Sequence, residues 1–103
     1  MPDDLPGAVR ELWQAGKLRD ALSLLYRGTL FAAVVEHGVR LPHSATEGLC
    51  LNAMREQAAS TQADLFSRIV QVWIVCAYGF REPADAEVTP LIAEWQQHFG
   101  KTA

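Results

Sequence analysis

The chain has 103 residues, half of them hydrophobic and a fifth charged, and its nine basic and twelve acidic side chains give a formal net charge of −3. That length fits one domain, and that composition builds a core rather than a disordered tail. The basic residues form no cluster and no stripe with interleaved aromatics, which argues against nucleic-acid binding.

Met1 to Asp4 is short and acidic, unlike a secretory signal. Pro2 to Pro6 reads as a leader. Gly7 to Ala15 reads as a first amphipathic helix, with Val9, Leu12 and Trp13 on one side and Arg10, Glu11 and Gln14 on the other. Gly16 stops it, and the short turn that follows sends the next helix back antiparallel.

The second helix, about Leu18 to Glu36, is the longest pattern. Leu18, Ala21, Leu22, Leu25, Thr29, Ala32 and Ala33 follow helical spacing, while Leu24, Phe31, Val34 and Val35 add a second apolar side. Two apolar sides call for two covers, from the first helix and from the third and fourth together. Gly38 closes the helix, and Pro42 places Val39 to His43 in a loop.

Ser44-Ala45-Thr46-Glu47 matches a capping box, with Ser44 and Glu47 exchanging side-chain and backbone bonds. A third helix then spans about Ala45 to Ala58, with Leu49, Cys50, Ala53, Met54 and Ala58 inward. Ser60 or Thr61 caps a fourth helix, about Gln62 to Tyr78, whose stripe is Leu65, Phe66, Ile69, Val72, Trp73, Cys76 and Ala77. Gly79 stops it, and Phe80 to Ala84 forms a loop. A fifth helix starts either at Thr89, with Pro90 in its first position, or about Asp85, weak in its first turn; the second is the expected one, and the helix buries Val88, Leu91, Ile92, Trp95 and Phe99. Gly100 ends it and Lys101 to Ala103 frays. No stretch alternates with period two.

The expected fold is therefore all-α: about five helices in antiparallel hairpins, a compact bundle with the second and fourth at its centre. No apolar run approaches the ~18–20 residues that span a bilayer, so the chain is expected to be soluble. Cys50 and Cys76 both fall in apolar helical patterns and read as buried thiols.

Two resemblances follow from these motifs. Gly16, Ala21, Leu25 and Gly28 are spaced as in the turn and second helix of a tetratricopeptide hairpin, although no 34-residue repeat follows. The second covers nearly the whole chain. Trp-Gln-Ala-Gly (Trp13–Gly16), Ala-Leu-x-Leu-Leu-Tyr-Arg (Ala21–Arg27), Gly-Val-x-Leu-Pro (Gly38–Pro42), Ser-Ala-Thr-Glu-Gly-x-Cys (Ser44–Cys50), Phe-x-x-x-Val-x-x-Trp (the stretch from Phe66 to Trp73) and Ala-Tyr-Gly (Ala77–Gly79) occur in that order. This order resembles a bacterial domain of unknown function at the carboxyl end of membrane-anchored proteins. Some of those carry a transglutaminase-like domain, and others are encoded beside a MoxR-type AAA+ ATPase and von Willebrand-type proteins. The resemblance implies transmembrane helices before residue 1 in a larger parent, the cytoplasmic face of the inner membrane, and a partner in the parent or the ATPase system. The Cys–His–Asp set of the transglutaminase-like enzymes belongs to a separate domain and is not mapped onto Cys50 or Cys76.

Tyr26 and Arg27 are the most suggestive polar pair. Arg27 could fork onto a carboxylate or phosphate with Tyr26 stacking beside it. The structural alternative has Arg27 paired with Glu47, pinning the third helix to the second, and Tyr26 bonded to a loop carbonyl. Glu47 reads as a cap before it reads as an acid or base. His37, His43 and His98 have no metal-binding spacing. Trp13, Trp73 and Trp95 read as core aromatics, with a peptide groove lined by a surface Trp, Tyr78 and Phe80 as the alternative. No phosphate-cradling loop, nucleophile elbow or zinc-protease motif occurs. A non-catalytic protein- or peptide-interaction module without cofactor or metal is the first expectation. A ligand or enzyme site on Tyr26, Arg27 and Glu47 is the second, and a self-associating structural domain the third.

Overall fold

A computed structural model describes residues 1–79 and 81–100. It contains α1 (Leu5–Gln14), α2 (Leu18–His37), α3 (Glu47–Gln57), α4 (Ser60–Ala77) and α5 (Asp85–Phe99), with no strand among the described residues. The fold is the all-α bundle that the periodicity implies. α2 packs on α1, α4 and α5, while α4 packs on α2, α3 and α5, so these two helices are central. Of the loop and tail expected around Phe80 and from Lys101 to Ala103, Phe80 and residues 101–103 lie outside the described residues.

Local chemistry sets the helix ends. α1 begins two residues before Gly7 because the Asp4 carboxylate accepts the Gly7 N–H at 3.1 Å. Pro6 sits in the first turn, where a missing donor removes no helical bond. α2 ends at Gly38, whose φ of 70° is left-handed, and the Val39 N–H reaches back to the Ala33 carbonyl at 3.0 Å.

The capping box at Ser44 and Glu47 does not form. Thr46 is the cap instead, its hydroxyl accepting the Leu49 N–H at 3.3 Å, and α3 starts at Glu47. Ser44 lies two residues upstream with a φ of 55°, a turn conformation that cannot open a helix. Gln57, in the last turn of α3, holds the preceding loop from both sides: it accepts the Arg40 N–H at 2.7 Å and donates to the Arg40 carbonyl at 2.8 Å. α4 also starts earlier than expected. Its cap position is Ala59, and the Gln62 side chain, rather than Ser60 or Thr61, bonds the Ala59 N–H at 3.3 Å.

The core holds Leu22, Leu25, Met54, Leu65, Phe66, Ile69, Val88 and Phe99, all fully buried. Two adjacent residues of α2 fix how its neighbours approach. A methyl group on Gly28 would stand 2.6 Å from both terminal carbons of Leu5, so the missing side chain is what lets α1 close onto α2. Thr29 is buried completely; its hydroxyl donates to the Leu25 carbonyl at 2.6 Å and accepts the Trp95 indole N–H at 2.9 Å. α5 is tied at its ends as well. Trp13 of α1 donates to Asp85 at 2.5 Å, and Gln62 of α4 donates to the His98 carbonyl at 2.7 Å.

The second apolar side of α2 is not covered as its pattern suggests. Phe31, Val34 and Val35 are exposed, since a folded surface retains much apolar area and a pattern alone does not compel burial. Leu49, expected inward on α3, is also exposed.

Replacing Thr29 by Val keeps the shape but leaves the Trp95 indole N–H buried without an acceptor. The expected loss is about 1–3 kcal/mol in denaturant unfolding. Thr29→Ser, which keeps the hydroxyl and drops a methyl, should lose about 1 kcal/mol.

Candidate functional site

Tyr26 and Trp73 do come together, but as packing. The Tyr26 ring stacks on Phe66 at 5.8 Å and on Trp73 at 6.0 Å, a three-ring seam between α2 and α4. Its hydroxyl meets the Cys50 thiol of α3 rather than a loop carbonyl. Burial is the main force holding that hydroxyl protonated well above its ordinary range, with Cys50 and the Glu47 carboxylate adding to it. Burial also raises the Cys50 thiol, so both groups are neutral near pH 7. Glu47 lies one turn before Cys50 on α3 and acts on both through its charge.

Arg27 does not join them. It is exposed, and no ion pair among the described residues links it to Glu47. The expected pin between α2 and α3 is replaced by the Tyr26–Cys50 contact. Neighbouring residues on a helix point about 100° apart, so a Tyr26 turned onto α4 leaves Arg27 facing water. Tyr78, at the end of α4, is 63% exposed and remote from the ring stack's packing role. Neither of these five residues' side chains nor their backbone lines any of the three concavities described below.

One concavity is a groove of about 380 Å³ between α4 and α5. Gln71, Val72 and Val75 form its α4 wall; Ala86, Pro90 and Leu91 form its α5 wall; Pro83 lies in the connection. Pro90 sits inside α5 without an N–H for the Ala86 carbonyl four residues back, so one helical rung is missing along this wall. Two guanidinium groups line the groove, each forked onto a Glu of α5. Arg68 binds Glu94 at 2.7 and 2.9 Å, and Arg81 binds Glu87 at 2.7 and 3.0 Å. These hydrogen bonds raise both arginines and hold both carboxyls below their usual range. Asp64, one turn before Arg68, stands 3.3 Å from its Nε, yet that N–H is buried without a hydrogen-bond acceptor.

A second concavity lies where the turn into α2 meets the end of α4, lined by Lys17, Arg19, Asp20, Glu82 and again Arg81. A third, about 500 Å³, runs beside Met1, Phe31, Val35 and Trp95. No group of three His, Cys, Asp or Glu side chains among the described residues is placed to hold a metal ion, and both cysteines are free.

Sequence reasoning missed the groove. Its one local signal is the Asp64–Arg68 spacing, which marks an i, i+4 pair on a helix face. The Arg68–Glu94 fork joins residues 26 apart and is created by the packing of α5 on α4, while the Arg81–Glu87 fork is a local contact between the connection and the first turn of α5.

Two measurements check these placements. Arg27→Ala should shift unfolding free energy by less than about 0.5 kcal/mol, as expected of an exposed side chain without a partner. For Tyr26 and Cys50 the folded state keeps protons that the unfolded state gives up. Their contribution to stability is therefore complete below their ordinary values of 10.0 and 9.0, and is lost as pH rises beyond them. Alkaline unfolding should be shallower in Tyr26→Phe than in the parent chain.

No protein-family model matches the chain, and no curated protein or solved structure matches it either.

Proposed function

We propose that this chain is a non-catalytic interaction module that binds a peptide segment of another protein or domain in the α4–α5 groove. One observation carries the reading: an open groove with Val72, Val75 and Leu91 as apolar lining and the guanidinium groups of Arg68 and Arg81, each forked onto a Glu, beside them. Its volume of about 380 Å³ is enough for a few side chains. Apolar lining supplies binding energy, and polar groups beside it fix the orientation of what binds. Phe31 and Val35 line the third concavity with Asp3, Glu36, Trp95 and Gln96, but neither Arg68 nor Arg81 lines it.

The distribution of chemistry supports a binding role. Tyr26, Arg27 and Glu47 line none of the three concavities above, and Arg27 faces water apart from the other two, which favours the groove over these residues as the place of binding. The resemblance extends the proposal to a context: the soluble end of a bacterial membrane protein, on the cytoplasmic face, with a parent domain or a neighbouring ATPase as partner. No helix among the described residues is long and apolar enough to cross a membrane, so anchoring would fall to another segment.

Random peptides displayed on phage and selected on the purified chain test the reading. Ala86 is exposed and lines the groove, so Ala86→Phe fills it at little cost to folding. Ala93, exposed on α5 outside the groove lining, gives the control Ala93→Phe. Selected peptides should lose affinity at least about tenfold on Ala86→Phe, read by fluorescence anisotropy, and keep it on Ala93→Phe. Selection without enrichment, or binding indifferent to Ala86→Phe, would remove the proposal.

A further inference from the structure

The hydrogen-bonding capacity of the groove is lopsided, and this says what kind of peptide it takes. A guanidinium has five N–H donors, and a carboxylate has about four acceptor sites. Glu87 already accepts three bonds: two from Arg81 and one from the Ala84 N–H at 3.2 Å. Its capacity is nearly full. Arg81 uses only two of its donors on Glu87, and its side chain is 55% exposed. Three donors therefore carry no hydrogen bond within the protein. Arg68 offers less, because its Nη atoms are forked onto Glu94 and its Nε is buried.

The charged residues lining this groove are Arg68, already paired with Glu94 and Asp64, together with Arg81 and Glu87. Arg81 also borders the second concavity, beside Lys17 and Arg19 and facing Asp20 and Glu82. Arg81 is thus the cation of the groove with donors left to give.

We infer that the α4–α5 groove recognises an acidic peptide: an Asp or Glu side chain seated on the free donors of Arg81, with an apolar residue beside it over Val72, Val75 and Leu91. This rests on the peptide-binding reading above. In it Arg81 is shared between two carboxylates, that of Glu87, which sets the guanidinium plane, and that of the ligand. A guanidinium pre-oriented by one fork loses little freedom on accepting a second partner.

The test uses peptides selected as above, with variants on both sides of the contact. Arg81 and Glu87 are surface groups, and Gln at 87 keeps an acceptor for the Ala84 N–H, so R81Q and E87Q should fold; circular dichroism and melting check this. R81Q should weaken binding about tenfold, and so should Glu→Gln in the peptide, with the double change costing no more than either alone. E87Q removes the internal competitor and should strengthen binding severalfold, an opposite sign that a merely structural role for the pair would not produce. Added salt should weaken the parent complex and leave the R81Q complex nearly unaffected. Peptides that bind, lose affinity on A86F and yet carry no acidic position coupled to Arg81 would overturn this inference while the interaction module stood. Loss of the A86F effect itself would instead take down the groove as the binding site.

Discussion

The bundle depends on one constraint at the middle of α2: a helix whose neighbours must come very close on one side and be held in register on the other. Gly28 and Thr29 meet these demands with adjacent residues. Gly28 gives up a side chain so that Leu5 can lie against the backbone. Thr29 puts a hydroxyl into a completely dry position, where it is tolerable only because both its donor and acceptor roles are filled. Apolar packing alone would let α5 slide along α2, since burial by area is non-directional. The indole–hydroxyl bond removes that freedom at Trp95.

From that fixed point the rest of α5 is positioned. Asp85 is bound by Trp13 near the start of the helix, and the His98 carbonyl by Gln62 near its end. The fork of Arg68 on Glu94 adds a contact in between. These four ties come from three different helices, so α5 cannot be displaced without breaking contacts on several sides. A groove between α4 and α5 whose walls are fixed in this way is pre-organised, and pre-organisation lowers the ordering cost of anything that binds there.

Much of the fold could be read because helical periodicity reports burial one helix at a time. Ala21, Leu22, Leu25 and Ala33 on α2, Leu65, Phe66 and Ile69 on α4, and Val88, Leu91, Ile92, Trp95 and Phe99 on α5 all lie in the core their spacing indicates. The departures have separate causes. Ser44 fits the capping motif, but Thr46 fits a cap as well, and the left-handed backbone at Ser44 decides between them. Arg27 looked paired because it sits among apolar residues in sequence, whereas exposure is a property of direction around the helix. Phe31, Val34 and Val35 are apolar without being covered, because α1, α4 and α5 occupy the other sides of α2. The groove belongs to a fourth category: it consists of the space between two helices, to which no residue's own periodicity refers.

The fold alters titration in two places and in two senses. Tyr26 and Cys50 are pushed toward staying neutral, and Arg68, Arg81, Glu87 and Glu94 toward staying charged. The neutral pair lies where α2 meets α3 and α4, and Tyr26 is one of the stacked rings there, so burial rather than a charged partner governs it. The charged pairs stand in and beside the α4–α5 groove, where hydrogen bonds between ions outweigh the small cost of burial. The same forks that fix the guanidinium planes of Arg68 and Arg81 also set which of their donors stay unbonded.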